Sequence, residues 1–332
     1  MPPSSEQSEI TSPILVLGLA RSGTTWLGKI FDSHPDTTYR HEPDRDEALP
    51  GLPRIVMEAQ TWLTQSTIRK FADGLPELQR VDQAASLPVF RKRSESWFGF
   101  RRRTVETWAA RLAGRRLVNF RLPDFCLGPQ FAHRRLVWKS VGSVGRTSAI
   151  IEALPLTHVV FIIRHPCGVI HSRARGVRAR LMKPISRSEF NELLSLPLHS
   201  FAGVAAPPSP AAGRFELEAY RWACLNSKAL KEIEGNGRCC SVRYEDLCTD
   251  PKAVASRLFD RVGLSWDPQV ERFIERSTSS DTRRFYSVYR RAESIDAWKD
   301  AMPRPDQERV QQLVADSLAG RLYFGPDART TG

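Results

Sequence analysis

Residues 14–25 read ILVLGLARSGTT, and WLGKIFDS carries the chain on to residue 33. Residues 14–19 are an unbroken apolar run with β-branched members, the pattern of a strand buried on both faces. Beyond Thr24, the side chains of Trp26, Leu27, Ile30 and Phe31 recur at helical spacing. The turn between strand and helix has Gly18 and Gly23 at its ends. That is the spacing of the phosphate-binding pattern GxxxxGK[ST], with Thr24 where the lysine would stand. Glycine lets the backbone turn tightly, so that several N–H groups and a helix N-terminus converge on one anion. Ser22, Thr24 and Thr25 add hydroxyl donors, and Arg21 adds a full positive charge. Without the lysine a β/γ-phosphate pair lacks its usual partner, which weighs against ATP or GTP hydrolysis. A tight turn that binds nothing is the alternative, and the strand–turn–helix context favours the anion site.

Working outward, residues 37–41 read as a second strand, 135–141 and 158–164 as the next two, and 238–244 as a fifth. Helices are expected over 54–71, around 104–113, and over 215–233 and 251–262. Strands alternating with helices predict an α/β fold, a central parallel sheet flanked by helices on both faces. No internal repeat interrupts this order. The expected organisation is a disordered polar lead-in at 1–12 and one α/β domain over 13–328. A helical, basic insertion at about 50–135 follows the second strand, and a Pro-, Ser- and Ala-rich loop at 183–213 reads as a mobile lid.

The 332 residues are 41% hydrophobic and 26% charged, and no stretch of about 18 apolar residues could span a bilayer. The start of the chain lacks the basic residues and apolar run of a signal peptide, so a cytoplasmic protein is expected. The six cysteines, Cys126, Cys167, Cys224, Cys239, Cys240 and Cys248, include no CxxC pair and fit no zinc spacing. They read as buried, reduced residues. The net charge of +12 is unevenly placed: residues 88–135 hold 12 Lys or Arg against 3 Asp or Glu. Such a stretch suggests an anionic partner, and a solvated face without a partner is the competing reading.

Two motifs together resemble the sulfotransferase family. LGLARSGTTWL resembles its 5′-phosphosulfate loop, and FIIRHPCGVIHSR, residues 161–173, resembles its 3′-phosphate motif, with Arg164 closing a strand and Ser172 eight residues on. An arginine there can grip a phosphate through two N–H bonds. Two phosphate grips in this order, about 140 residues apart, are hard to obtain by chance. VRYEDLCTDP, residues 242–251, resembles a segment that places a tyrosine, here Tyr244, near adenine. Trp26 sits where the family stacks a tryptophan on adenine. RRAESIDAWKD, residues 290–300, resembles the segment whose basic residue closes over the 3′-phosphate; Arg291 is favoured, with Arg290 and Lys299 as alternatives. Trp298 reads as core.

The resemblance spans residues 14 to about 300 and implies 3′-phosphoadenosine-5′-phosphosulfate (PAPS) as donor, 3′,5′-diphosphoadenosine (PAP) as product, and no metal. The nucleotide would be held by Arg21, Ser22, Gly23, Thr24, Thr25, Trp26, Arg164, Ser172, Tyr244 and Arg291. Arginine at position 21, where the cytosolic small-molecule branch has lysine, resembles the carbohydrate- and tyrosine-modifying branches, and would stabilise the leaving phosphate. The cytosolic branch's catalytic histidine is replaced by Val141, two residues after Lys139, which remains able to contact the sulfuryl oxygens. The favoured base is then Glu42 in YRHEPD, with His41 as runner-up. A salt bridge from Glu42 to Arg40 or Arg45 is the structural alternative.

Two other readings compete. A nucleotide or small-molecule kinase would share the loop but needs an Asp at a strand end for Mg²⁺, where this chain has Arg164. A non-enzymatic polyanion or nucleic-acid binder would use the basic stretch with Phe90, Trp97, Phe98, Phe100 and Trp108, and ranks third. If that stretch instead lines the acceptor site, the acceptor, small molecule or carbohydrate, is acidic or sulfated.

Overall fold

The structure is a computed structural model that describes residues 12–44, 49, 51–78, 83, 86–112, 134–198, 203, 208–209, 212–279 and 295–326. Its centre is a sheet of five parallel strands: β1 (Ile14–Leu17), β2 (Thr37–His41), β3 (Arg135–Ser140), β4 (His158–Ile163) and β5 (Cys239–Arg243). Their spatial order is β2-β3-β1-β4-β5. β1 is therefore central, and all four of its side chains are fully buried, as its unbroken apolar run requires.

Alternate residues of the strands point into two cores. Leu15, Leu17, Val159, Phe161 and Ile163 face one cluster, built largely by α7 (Arg214–Ile233) with α2 (Thr61–Asp73), α4 (Thr147–Ala153) and α5 (Pro166–Arg178). Ile14, Val16, Val160 and Ile162 face the other, closed by α1 (Thr24–Asp32), α9 (Pro251–Val262) and α10 (Pro268–Ser279). Each fully buried Leu, Ile or Phe in these layers contributes about 1.5–3 kcal/mol of transfer free energy. The remaining helices are α3 (Trp97–Leu112), α6 (Arg187–Ser195), α8 (Tyr244–Thr249), α11 (Ala297–Ala301), α12 (Arg304–Val314) and α13 (Leu318–Phe324).

The strand order creates a crevice. From β1 the chain passes to β2 on one side of the sheet, and from β4 it passes to β5 on the other, so the loops leaving β1 and β4 diverge. In open α/β sheets ligands sit at that divergence, beyond the carboxyl ends of the strands. Gly18–Gly23 and Arg164 are the residues found there.

Several boundaries differ from the sequence reading. The helix expected from residue 54 begins at Thr61, after a 3₁₀ turn at Glu58–Gln60; upstream of it Arg146 holds the Leu52 and Pro53 carbonyls, which ties that segment to the body of the fold. The helix expected at 104–113 starts seven residues earlier, at Trp97. The segment read as a loop at 183–213 contains α6, whose Ser186 and Glu189 form a reciprocal capping box that alternating Ser, Glu and Arg residues had obscured. Part of that segment lies outside the described residues.

The basic stretch also differs from its reading. Lys92 is buried and donates to Asp32 Oδ1 at 3.0 Å, to the His34 carbonyl at 3.2 Å and to the Asp32 carbonyl. Arg93 makes a fork on Asp36, Arg103 one on Glu95, and Arg134 reaches Ser94 at 2.8 Å. Arg135 donates to the Ser12 and Val262 carbonyls. These residues clamp the insertion to the end of α1 and the starts of β2 and β3, the edge of the sheet opposite the crevice. At these five positions the charge is taken up within the fold rather than offered to an acceptor, while Arg115, Arg116 and Arg121 of the same stretch lie outside the described residues.

Candidate active site

The turn after β1 is shaped by two contacts that only glycine permits. A Cβ on Gly18 would collide with the carbonyl oxygen of Ile162 in β4, and one on Gly23 with the ring of Tyr244. Gly23 has φ 94°, and Arg21 shares the left-handed region at φ 79° without the freedom of glycine. Gly23 caps α1 with no side-chain hydrogen bond, and no acidic residue occupies the first turn, which leaves the helix dipole uncompensated. Ser22 is fully buried, and its hydroxyl has no hydrogen-bond partner.

The two phosphate motifs meet in space. Arg21 Nε donates to Ser172 Oγ at 2.9 Å, and Arg164 Nη1 donates to the Arg21 carbonyl at 3.1 Å. The Arg164 guanidinium lies 4.6 Å above the Tyr244 ring, while its Nε is buried without a hydrogen-bond partner. A buried hydroxyl and a buried guanidinium N–H without partners, beside an uncapped helix N-terminus, are what an anionic nucleotide would satisfy. The residues present therefore fit the donor that their motifs imply.

A second set of residues, unmarked in the sequence, holds Arg164 in place. Trp222 Nε1 donates to the Arg164 carbonyl at 3.0 Å. The next residue, His165, stacks on Trp298 at 4.3 Å, and its backbone N–H donates to Glu245 Oε1 at 2.9 Å. Tyr323 O–H donates to the other Glu245 oxygen at 3.0 Å. Burial, aided by the charge of Lys299, pushes the His165 imidazole down to about 3, so it is neutral at physiological pH. Burial raises the Glu245 carboxyl against these same hydrogen bonds. Tyr323 and Trp222 come from helices distant in sequence, and no local pattern announces them.

Across the crevice, β2 ends at His41 and the chain turns at Glu42, which has φ 47°. Glu42 N donates to the Lys139 carbonyl at 2.8 Å, and the Lys139 ammonium pairs with Glu42 Oε1. Both residues are buried, at 1% exposure for Lys139 and 8% for Glu42. Among the described residues Glu42 thus pairs with Lys139, while Arg40 donates to the Leu75 and Pro76 carbonyls; Arg45 lies outside the described residues. His41 Nε2 is 4.0 Å from the same Glu42 oxygen, and its Nδ1 meets Tyr39 O–H at 3.0 Å. Asp44, missed in the sequence, accepts from the Ser140 and Ser143 hydroxyls, and burial raises its carboxyl.

Other expectations fare differently. Trp26 is 1% exposed in the core, with Nε1 donating to Ser277 Oγ at 3.0 Å, so no ring face remains for adenine. Its helical spacing with Ile30 already pointed inward. Tyr244 is buried behind the turn, against Gly23 and Arg164. Trp298 is core, as read. Arg291 and Arg290 lie outside the described residues, while Lys299 is an exposed partner of Asp296 at 2.8 Å. Among the described residues no three His, Cys, Asp or Glu side chains gather as metal ligands.

A parallel sheet with an anion-binding turn at its switch point, and a strand-end arginine joined to that turn, is the geometry of an α/β protein that binds a phosphorylated ligand. The profile of the sulfotransferase family matches residues 13–268, and the chain belongs to that family. It is a sulfotransferase, taking its sulfuryl group from PAPS and leaving PAP. Among curated relatives, human carbohydrate sulfotransferase 6 is 24% identical over 96% of this chain and 82% of its own length. Human carbohydrate sulfotransferase 2 is 27% identical over 90% of this chain and 62% of its own. Among solved structures, the sulfotransferase domain from the curacin biosynthetic pathway overlays with TM-score 0.45 at 17% identity, covering 91% of this chain and 96% of that one. The mouse sulfotransferase SULT7A1 complexed with PAP gives TM-score 0.43 at 13% identity, over 96% and 93%.

Proposed function

We propose that this sulfotransferase transfers the sulfuryl group to a hydroxyl of a carbohydrate, with Glu42 as the base. The observation that carries the reading is the buried Glu42–Lys139 pair, set at the carboxyl edge of β2 and β3 beside the Gly18–Gly23 turn. The names of the human relatives, carbohydrate sulfotransferases 6 and 2, support the sugar.

In this reading Glu42 takes the proton of the acceptor hydroxyl as its oxygen bonds to sulfur. The bond from sulfur to the 5′-phosphate oxygen breaks, and the electron pair leaves with the phosphate. Arg21 and the amides of residues 22–25 meet the charge that develops there, an arrangement worth most in a site that excludes water. Lys139 meets the sulfuryl oxygens and holds the Glu42 side chain in place. Arg164 and Ser172 hold the nucleotide at its other phosphate, so that donor and acceptor oxygens lie in line.

Incubation with PAPS and a panel of mono- and oligosaccharides should yield products heavier by one SO₃ unit. Glu42→Gln should lower kcat by about 10²- to 10⁴-fold with PAP affinity unchanged. Sulfation of peptides or phenols with sugars untouched would overturn the acceptor. Full activity in Glu42→Gln and its loss in His41→Asn would move the base to His41.

A cytoplasmic location accompanies this proposal. It is supported by free thiols at Cys167, Cys224, Cys239, Cys240 and Cys248, as expected of a reducing compartment. Cell fractionation tests it. No described helix is long and apolar enough to cross a membrane.

A further inference from the structure

Helix α3 leaves an unusual face to solvent. Trp97 is 55% exposed, Phe98 77%, Val105 66% and Trp108 51%. At 100° per residue, Trp97, Trp108, Arg101, Val105 and Phe98 follow one another around a single arc of about 100°. The opposite arc, carrying Arg103, Thr107 and Ala110, packs inward, with Arg103 forked on Glu95. The exposed arc is therefore a contiguous apolar stripe and not a scatter of single residues, and such patches mark binding faces.

Cations are woven into the stripe. The Arg101 guanidinium lies 5.1 Å from the Trp97 ring and Arg91 6.0 Å from it. Arg102 flanks the arc, paired with Glu106 at 3.0 Å. Tryptophan and phenylalanine beside arginine, on a helix lying along the protein surface, match an interfacial helix: rings enter the headgroup boundary while guanidinium groups meet lipid phosphates. A second copy of the chain would bring the same arginines and no surplus of acids to this face, whereas an anionic lipid surface complements them. The stripe starts beside Lys92 and Arg93, which are bound to the end of α1 and the loop before β2. That anchor lies at the sheet edge opposite the crevice.

We propose that the exposed face of α3 docks this sulfotransferase on an anionic membrane surface. The test is sedimentation of the full chain with phosphatidylcholine vesicles, with and without phosphatidylserine, followed by tryptophan emission. Binding should require phosphatidylserine, weaken with salt and shift the emission to the blue. Trp97→Ser/Phe98→Ser/Trp108→Ser should weaken it at least about 10-fold, and Arg101→Gln about 5-fold. Because these positions are exposed, PAP affinity and the unfolding midpoint should stay at wild-type values, which separates a lost surface from a lost fold. Equal vesicle binding by the triple variant would overturn the proposal. So would no binding by the wild type, retention only on soluble heparin or poly(U), or self-association that the triple variant abolishes.

Discussion

Replacing Arg164 by alanine tests whether the two phosphate motifs act as one nucleotide site. The Arg164 guanidinium is held on two sides, by the Arg21 carbonyl at 3.1 Å and the Tyr244 ring at 4.6 Å, and its buried Nε has no hydrogen-bond partner. A charge-assisted hydrogen bond from that group to a phosphate is worth about 1.5–3 kcal/mol, or roughly a 10- to 100-fold change in dissociation constant. The assay is calorimetric titration with PAP, repeated with 5′-AMP, which lacks the 3′-phosphate. Arg164→Ala should lose that factor for PAP and almost nothing for 5′-AMP. Arg164→Lys should fall between, since it keeps the charge but not the fork. The Trp222 bond to the Arg164 carbonyl survives both substitutions, so the backbone stays in place. Equal losses for PAP and 5′-AMP would refute a 3′-phosphate role, and unchanged PAP affinity would remove Arg164 from the site.

Gly23→Ala places a Cβ against the Tyr244 ring at φ 94° and should cost about 2–5 kcal/mol in urea unfolding, with loss of PAP binding; a variant that unfolds with the wild type would contradict the turn geometry. Asp32 is buried between Lys29 and Lys92, and although burial alone would raise its carboxyl, the two ammonium groups bring it down to about 2. A depressed carboxyl contributes stability that is present above its unfolded value and lost as pH falls towards the folded one. Asp32→Asn should therefore destabilise the protein at pH 7 by about 3–5 kcal/mol, leaving two buried cations unpaired, and its deficit should shrink as pH drops from about 4 towards 2. A deficit independent of pH in urea titrations would show that the pair is not responsible.

The two central strands β1 and β4 were the most legible, because strands buried on both faces are apolar nearly throughout, whereas the edge strands β2 and β5 carry polar residues and were read from their place in the strand–helix alternation. Helix starts were less legible where the preceding segment is held by a distant contact, as where Arg146 binds the Pro53 carbonyl 93 residues away, upstream of α2. Gly18, Gly23, Arg21 and Arg164 were legible because a phosphate grip demands fixed residue types at fixed spacing along one strand and one turn.

What the sequence determined alone was thus the parallel sheet, the anion-binding turn and the family to which both belong. The tertiary structure decided the rest. It turned Trp26 into core by bringing Ser277 to its indole, because a helix packed on two neighbours has no face left for a ligand. It gave Glu42 a buried partner, Lys139, 97 residues away. It committed Lys92 and Arg103 of a basic stretch to carboxylates and carbonyls of the fold, while leaving Trp97 and Trp108 of the same stretch exposed. Composition counts charges and rings, but only packing determines which of them are neutralised inside the fold and which remain outside to meet a partner.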